Sequence, residues 1–394
     1  MKKFALSLAF IALTLGSCST EDDENNTVKP IPTGEISGDI TTSKTYPKGI
    51  YTIQGTVKVK SGATLSIEAG SIITADVANG LDILLVENGG KVYLNGTAAE
   101  PIVFTEASKT PGSWGGIVMF GDAPIVSGKD VNGNPITAAT SEDGTNTSYG
   151  GTNATHNGGS LKYVRVEYAG KKLTDNTSEM NGFSFYSVGS GTVLENLVAY
   201  KGADDGFEFY GGTVSAKNLV SYGNFDDSFD WQDGWRGQEN NNWYAYQTGT
   251  GNYGMEIEAK NVNNNFGPKI SNITLIRAAG TVTEGGASAA EYDAIQFKKQ
   301  GNGEYTNVVI TGYTTTNATA VRIQDAATNT DQVNSGKIKI SNIKINDGTS
   351  QFAAKDATFT VAFPTGNYTA NNASAGASLT AGSWSIIEGI NLLQ

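Results

Sequence analysis

The sequence predicts an all-β fold: a right-handed parallel β-helix, or solenoid, with a short C-terminal cap. Three observations carry that expectation. A run recurs at an offset of 22. Leu194-Glu195-Asn196-Leu197-Val198-Ala199-Tyr200 returns as Ala216-Lys217-Asn218-Leu219-Val220-Ser221-Tyr222, and Asp204-Asp205-Gly206-Phe207-Glu208-Phe209 returns as Asp226-Asp227-Ser228-Phe229-Asp230-Trp231. Each run alternates with period 2 between Gly and Asn turns, which is a strand pattern, and nothing beyond the N-terminal apolar run sustains a helical period. Gly is 49 of 394 residues and charged residues are only 17 %, against a usual ~7 % and ~25 %, so the chain is rich in turns. A single core stops growing near ~250–300 residues, whereas coils that pack only on their neighbours escape that limit.

The N-terminus reads as an address. Lys2 and Lys3 precede an apolar run from Phe4 to Leu15, too short to span a bilayer as a helix and suited to a signal-peptide core. Leu15-Gly16-Ser17-Cys18 resembles a bacterial lipobox, which implies removal of residues 1–17 and acylation of Cys18, the only Cys. Residues 18–33 then form a flexible tether. Its Ser19-Thr20-Glu21-Asp22-Asp23-Glu24 resembles the acidic stretch of surface-exported Bacteroidetes lipoproteins. The same like charges also keep a plain tether extended. The expectation is a monomer anchored by acyl chains in the outer membrane and exposed at the cell surface.

Composition removes several chemistries. One His, His156, cannot build a multi-His metal site, and one Cys excludes intramolecular disulfides and thiolate clusters. Loss of Lys2 and Lys3 moves the net charge from −12 to −14. That argues against nucleic acid, whose phosphates need a basic face, and against strongly polyanionic glycans unless a cation bridges them.

The solenoid is expected over 34–348. Val57-Lys58-Val59, Leu65-Ser66-Ile67, Leu84-Leu85-Val86, Val92-Tyr93-Leu94 and Ile102-Val103-Phe104 form its opening strands, with Trp114-Gly115-Gly116-Ile117 after a break. Tyr163-Val164-Arg165-Val166-Glu167-Tyr168 is a loose copy of the repeat. The Asn–aliphatic–x–aliphatic element recurs at Asn272, Asn307 and Asn342, at spacings of 54, 35 and 35 from Asn218. Stacked coils place like residue on like at about 4.8 Å, with aliphatics inside and Asn side chains bonding turn backbones of adjacent coils. Excursions are expected at 122–160, 232–268 and 278–291, gathered on one binding face. Residues 349–394 lose the period and are expected to cap the last coil.

This succession of strands resembles the opening coils of pectate-lyase-like β-helix proteins, and with the Asp-Asp-Gly-Phe coil it resembles a family of Bacteroidetes β-helix lipoproteins. Parity turns Asp204, Glu208, Asp226 and Asp230 outward if Phe207 and Phe209 face inward. Exposed like charges ~5 Å apart repel by roughly 1–3 kcal/mol. A cation would relieve this, and oxygen donors without His or Cys suit Ca²⁺. Two other readings stand beside it: Asp capping of turn backbones, and a catalytic carboxylate pair. Asp204-Asp205-Gly206 resembles the Asp-Asp element of polygalacturonases and Val321-Arg322-Ile323-Gln324 their Arg-Ile-Lys element, while their Gly-His-Gly element has no counterpart. The enzymatic reading uses Asp204, Asp205, Asp226, Asp227 and Arg236.

Trp231, Trp235, Trp243, Tyr244 and Tyr246 form the second candidate site, with Tyr253 and several Asn nearby. They read either as a sugar-stacking platform or protein-binding hot spot, or as local core. The expected function is a non-catalytic surface lipoprotein binding a polysaccharide or an outer-membrane or surface protein. The alternatives are a polysaccharide lyase or glycoside hydrolase, and a structural or adhesive spacer.

Overall fold

A computed structural model describes residues 30–394 apart from 79, 174–179 and 285–290. The signal segment, Cys18 and Glu21-Asp22-Asp23-Glu24 lie outside the described residues. From Pro32 the chain forms one body, a right-handed parallel β-helix whose strands pair in parallel from coil to coil.

A coil in the middle of the solenoid contains two strands. The long strand Val193–Tyr200 bends at Asn196, and the short strand Phe207–Tyr210 follows. The two halves of the long strand pair into a first and a second sheet, and the short strand pairs into a third. Leu194 lies beside Ala216, Leu197 beside Leu219, and Phe207 beside Phe229. Asn196, Asn218, Asn242, Asn272, Asn307 and Asn342 all bend their strands with φ between +57° and +61°. Asn is among the few residues with a side chain that visit this left-handed region readily. The expected bonds from Asn to backbones of adjacent coils are made by the buried Asn224 and Asn240, which accept from Gly202 N at 2.7 Å and Ala216 N at 2.8 Å, whereas at these bends the Asn side chains bond one another. Asn218 Nδ2 donates to Asn196 Oδ1 at 2.9 Å, Asn242 to Asn218 at 3.0 Å, Asn307 to Asn272 at 2.9 Å and Asn342 to Asn307 at 3.2 Å. Stacked bends bring the amides over one another, and the row steps aside once, where Asn272 Nδ2 donates to Asn241 Oδ1 at 2.8 Å.

Asn242 corrects a second expectation. The segment 232–268 is not one excursion, because Asn240–Gln247 and Met255–Ile257 are a regular coil. It hides in the sequence because Trp243-Tyr244-Ala245 replaces the aliphatic element.

The interior is a stack of rings. Phe183 lies on Phe207 at 4.9 Å, Phe185 near Phe209 at 5.1 Å, and Phe209 on Trp235 at 4.5 Å. Trp231, Trp235 and Trp243 are at most 2 % exposed. The indole N–H groups of Trp235 and Trp243 donate to Val214 O and Ala216 O, each at 3.0 Å. These three rings are core, because strand alternation points Trp231 and Trp243 inward and Trp235 packs on Phe209. Tyr244 and Tyr246 do point outward, but the C-terminal tail packs over them.

Only the last part of that tail departs from the expected cap. Ser350–Ala354 and Tyr368–Ala370 still pair with the preceding coils, and Phe352, Phe359, Phe363 and Tyr368 close the end of the core. The chain then runs back along the second sheet instead of capping the last coil. Ala377 N donates to Thr274 Oγ1 at 2.9 Å, Trp384 packs edge-on to Tyr163 at 5.9 Å, and Gln394 bonds Tyr244 Oη. A row of outward tyrosines, with Tyr200 on Tyr222 at 5.7 Å and Tyr222 on Tyr246 at 4.9 Å, supplies the apolar track that holds it.

Candidate functional site, an acidic cleft on the third sheet

Alternation in the short strands sends Phe and Trp inward and polar residues outward. Coil by coil, the outward column of the third sheet reads Ser184, Glu208, Asp230, Glu256, Gln296, Arg322. Three carboxylates therefore stack in register. The insertion 122–160 roofs this sheet on one side, with Ile125 and Tyr149 packed near Phe120, Tyr186 and Tyr210. Tyr149 Oη donates to Asp233, and Glu142 reaches the column through Gln232, whose Nε2 donates to Glu142 at 2.6 Å and to Glu208 at 2.9 Å. The result is a cleft of about 240 Å³ lined by nine carboxylates and three lysines, so negative charge dominates it.

Parity is as expected from the sequence, but exposure is not. Asp204 and Glu208 are 2 % and 5 % exposed, because the neighbouring coils and loops cover them. Glu208 is held by three side-chain donors: Gln232, Asn181 Nδ2 at 2.7 Å, and Tyr210 Oη. Burial, and then Glu142 beside it, push its carboxyl up to about 8 in spite of those donors. Asp230 sits opposite Glu208 in register, and its Oδ1 is buried without a hydrogen-bond partner. Burial and then the Glu208 and Glu256 charges hold it well above the usual carboxylate range. Burial, Glu284 and Glu256 push Asp226 to about 7, although Asn252 Nδ2 donates to it.

Asp205 and Asp227 do different work. Asp205 Oδ1 accepts the N–H of Asp227, and Asp227 Oδ1 accepts that of Tyr253, each at 2.7 Å. Asp82 and Asp293 serve Gly55 and Thr319 in the same way. This is the turn-capping reading, and it holds for these two members of the enzymatic set. Arg236, a third member, lies outside the cleft. Arg322 is bound through Nε to Asp293 at 3.0 Å and lies outside it too. His156 is buried in its loop, its Nδ1 accepting the Gly189 N–H at 3.4 Å.

The four proposed metal ligands do not form one group. Carboxylate oxygens come within 4.8 Å of one another in three triads: Asp204 with Asp205 and Asp226, Asp205 with Glu208 and Asp230, and Asp227 with Asp230 and Glu256. Asp205 joins the first two, so a residue read as catalytic belongs to the donor set. Glu256 was missed because its coil follows at 26 residues, not 22. Glu142 comes from a loop without periodic signal.

The lysines gather at one end. Lys298 pairs with Glu256, and it lies 3.6 Å from Glu258, which also meets Lys299 at 2.7 Å and Lys260 at 3.3 Å. Burial pushes Glu258 up, but these lysines outweigh it and leave the group below its ordinary value. Asp205, Glu208 and Asp230 form no ion pair among the described residues. The all-oxygen donor set suits a hard divalent cation. Equally, Glu208 and Asp230 are two carboxyls one coil apart, one oriented by donors and the other held well above the usual carboxylate range by burial and the charges beside it.

The family described as pectate-lyase-like β-helix domain matches residues 34–386. Among solved structures, an endo-xylogalacturonan hydrolase from Aspergillus tubingensis aligns at 12 % identity over 86 % of this chain and 91 % of its own, with a TM-score of 0.27, a likeness too slight to carry argument. No curated protein matches the chain.

Proposed function

Given that the chain belongs to the pectate-lyase-like β-helix family, we propose that it is an outer-membrane lipoprotein, anchored through Cys18 and displayed at the cell surface, that binds a polysaccharide without cutting it. The cleft binds the glycan through a divalent cation, Ca²⁺ by its donor chemistry. One observation carries this reading: Glu208 and Asp230 stack in register with Asp205 beside them, Asp205 and Glu208 buried and Asp230 half-buried, with no ion pair among the described residues and Lys298 acting on Asp230 only from beyond ion-pair distance. Such a column is costly when ionised, and a cation turns the cost into affinity. Asp205, Glu208 and Asp230 would be the ligands, with Asp204 and Asp226 adjoining. A bound cation would supply positive charge to sugar hydroxyl or carboxylate oxygens in a cleft otherwise hostile to them. The fixed work of Asp205 and Asp227 and the distant place of Arg236 weigh against the enzymatic set.

The second reading, glycoside hydrolysis, is favoured by the same pair: Glu208 positioned by three donors, and Asp230 with a carboxyl raised in the direction that suits a general acid. Retention of the protein on immobilised polysaccharides, with Ca²⁺ or with EDTA, separates the readings when the polymer is also sized. Binding predicts retention that EDTA and Asp230→Asn abolish, with polymer length unchanged. Polymer shortened by the wild type and not by Glu208→Gln establishes the hydrolase. Failure to bind any glycan in either condition removes both.

A further inference from the structure

A second concavity, larger than the cleft, runs along the outward side of the first sheet from the coil of Glu195 to that of Lys339, with a volume of about 990 Å³. It shares no lining residue with the acidic cleft. Its charge has the opposite sign. Lys217, Arg236, Lys269, Lys337 and Lys339 face three acidic side chains, on a chain whose net charge is −12. Those acids are already matched. Glu239 meets Lys217 at 3.5 Å, Glu304 meets Lys269 at 3.6 Å and Lys339 at 3.2 Å, and Glu195 meets Lys162 at 3.3 Å.

Arg236 and Lys337 form no ion pair among the described residues. The contrast within the arginines is sharp. Arg165 pairs with Glu167 and Arg322 with Asp293, while Arg277 donates to Gln247 and to backbone carbonyls. Arg236 alone is left with a single acceptor, Gly234 O at 3.1 Å from Nε, while its Nη2 is buried without a partner. Its guanidinium lies 3.6 Å above the Phe266 ring. Gln238 fixes that arrangement by donating to Arg236 O at 3.0 Å and to Gly267 O at 2.9 Å. A stacked guanidinium held in this way is a prepared receptor for a planar or tetrahedral oxyanion.

We propose that this groove binds an anionic oligosaccharide strand along the solenoid axis, with Arg236 and Lys337 receiving its carboxylate or sulfate groups. The length of the groove calls for a polymer, and its rungs repeat every ~4.8 Å, close to the length of one pyranose residue. Hydroxyls of Thr192, Thr213 and Ser215 line it, and they match sugar hydroxyls. An acidic peptide would need apolar pockets for anchor side chains, whereas the groove's one ring, Phe266, is covered by Arg236.

The inference rests on the glycan-binding reading but needs no divalent cation, so its test is run in EDTA, where the cleft is silent. The full chain is titrated with oligogalacturonate, with dextran sulfate, with uncharged dextran and with polyglutamate. Oligogalacturonate and dextran sulfate distinguish carboxylate from sulfate as the bound group. Binding of at least one of them, weakening with salt and absent for dextran, is expected. Arg236→Gln should weaken it at least tenfold, Arg236→Lys less, and Lys337→Gln, at a half-buried site where the ammonium also donates to Asn263, several-fold, with urea unfolding of each variant showing that the fold is kept. Equal binding of dextran or polyglutamate, no binding at all in EDTA, or unchanged affinity in Lys337→Gln overturns the proposal.

Discussion

Two outward rows of charge on the same solenoid obey opposite rules. On the first sheet, Lys269, Glu304 and Lys339 alternate in sign from coil to coil, and their side chains remain 41–53 % exposed. On the third sheet, Glu208, Asp230 and Glu256 repeat one sign, and Glu208 is 5 % exposed. Both rows share the rung spacing of ~4.8 Å that a parallel sheet imposes. Alternation is the arrangement that this spacing favours at no cost to folding. A buried row of one sign opposes it, since desolvation and repulsion then add. The coil geometry explains the first row. The second is maintained against it, which is why the cleft, and not the ladder, is read as a site for a cation.

The comparison presumes that the inward rings are scaffold for both rows, and this assumption carries the largest expected effect. Trp243→Ala should destabilise the protein by about 3–5 kcal/mol, measured by urea unfolding, since the ring is fully buried against Phe229 and Trp235. Unchanged stability with lost glycan affinity would return Trp243 to a binding platform.

Next comes the pH response of the cleft. The Glu208 and Asp226 carboxyls sit at about 8 and about 7 in the folded chain, above ordinary values near 4. The fold therefore prefers their protonated forms. That contribution is complete below pH ~4 and is lost as pH rises through 7 to 8. Other groups facing them are Glu142, Glu256, Glu284 and Lys172. Without divalent cations, stability should fall by on the order of 2–3 kcal/mol between pH 6.5 and 8, and Ca²⁺ should remove most of the slope. Calorimetric melting at pH 5, 6.5 and 8, with EDTA or Ca²⁺, checks it. A flat profile in EDTA would falsify the claim that these acids are held protonated.

A smaller effect divides the acids among themselves. Asp227→Ala leaves the Tyr253 N–H without its acceptor and should cost about 1–2 kcal/mol. Asp230→Asn removes one like charge and should raise cation-free stability at pH 8 by about 1 kcal/mol, while weakening Ca²⁺ binding at least tenfold. Opposite signs for the two substitutions separate turn chemistry from ligand chemistry. The same sign for both would make the column a single structural device.

How much of this was legible follows from spacing. The pairing of Glu208 with Asp230 could be read because two coils have the same length, 22 residues. Glu256 could not, since its coil is longer and opens with Asn252-Tyr253 in place of Asp-Asp. Period 2 in Trp243-Tyr244-Ala245-Tyr246 requires some rings to face outward without saying which, and nothing local announces that residues 371–394 return to cover Tyr244. Burial of Asp204 is also non-local, because the cover comes from neighbouring coils and loops and not from its own strand. Arg236 was singled out for its sequence proximity to the acidic coils, yet the turn after Phe229–Gln232 carries it around to the first-sheet groove.

The smallest expected effect tests the other half of the comparison. Glu304 bridges Lys269 and Lys339 at 3.6 and 3.2 Å, and it looks like the hub of the exposed ladder. All three side chains are hydrated and free to reorient, so breaking both contacts by Glu304→Gln should change stability by no more than about 0.5 kcal/mol. Salt should screen even that difference away. The substitution also leaves two more lysines unmatched in the groove, so oligogalacturonate should bind more tightly in EDTA while unfolding in urea is unaltered. A loss of stability beyond 1 kcal/mol would mean that the ladder supports the fold after all, and the contrast between the two rows would then be one of burial alone.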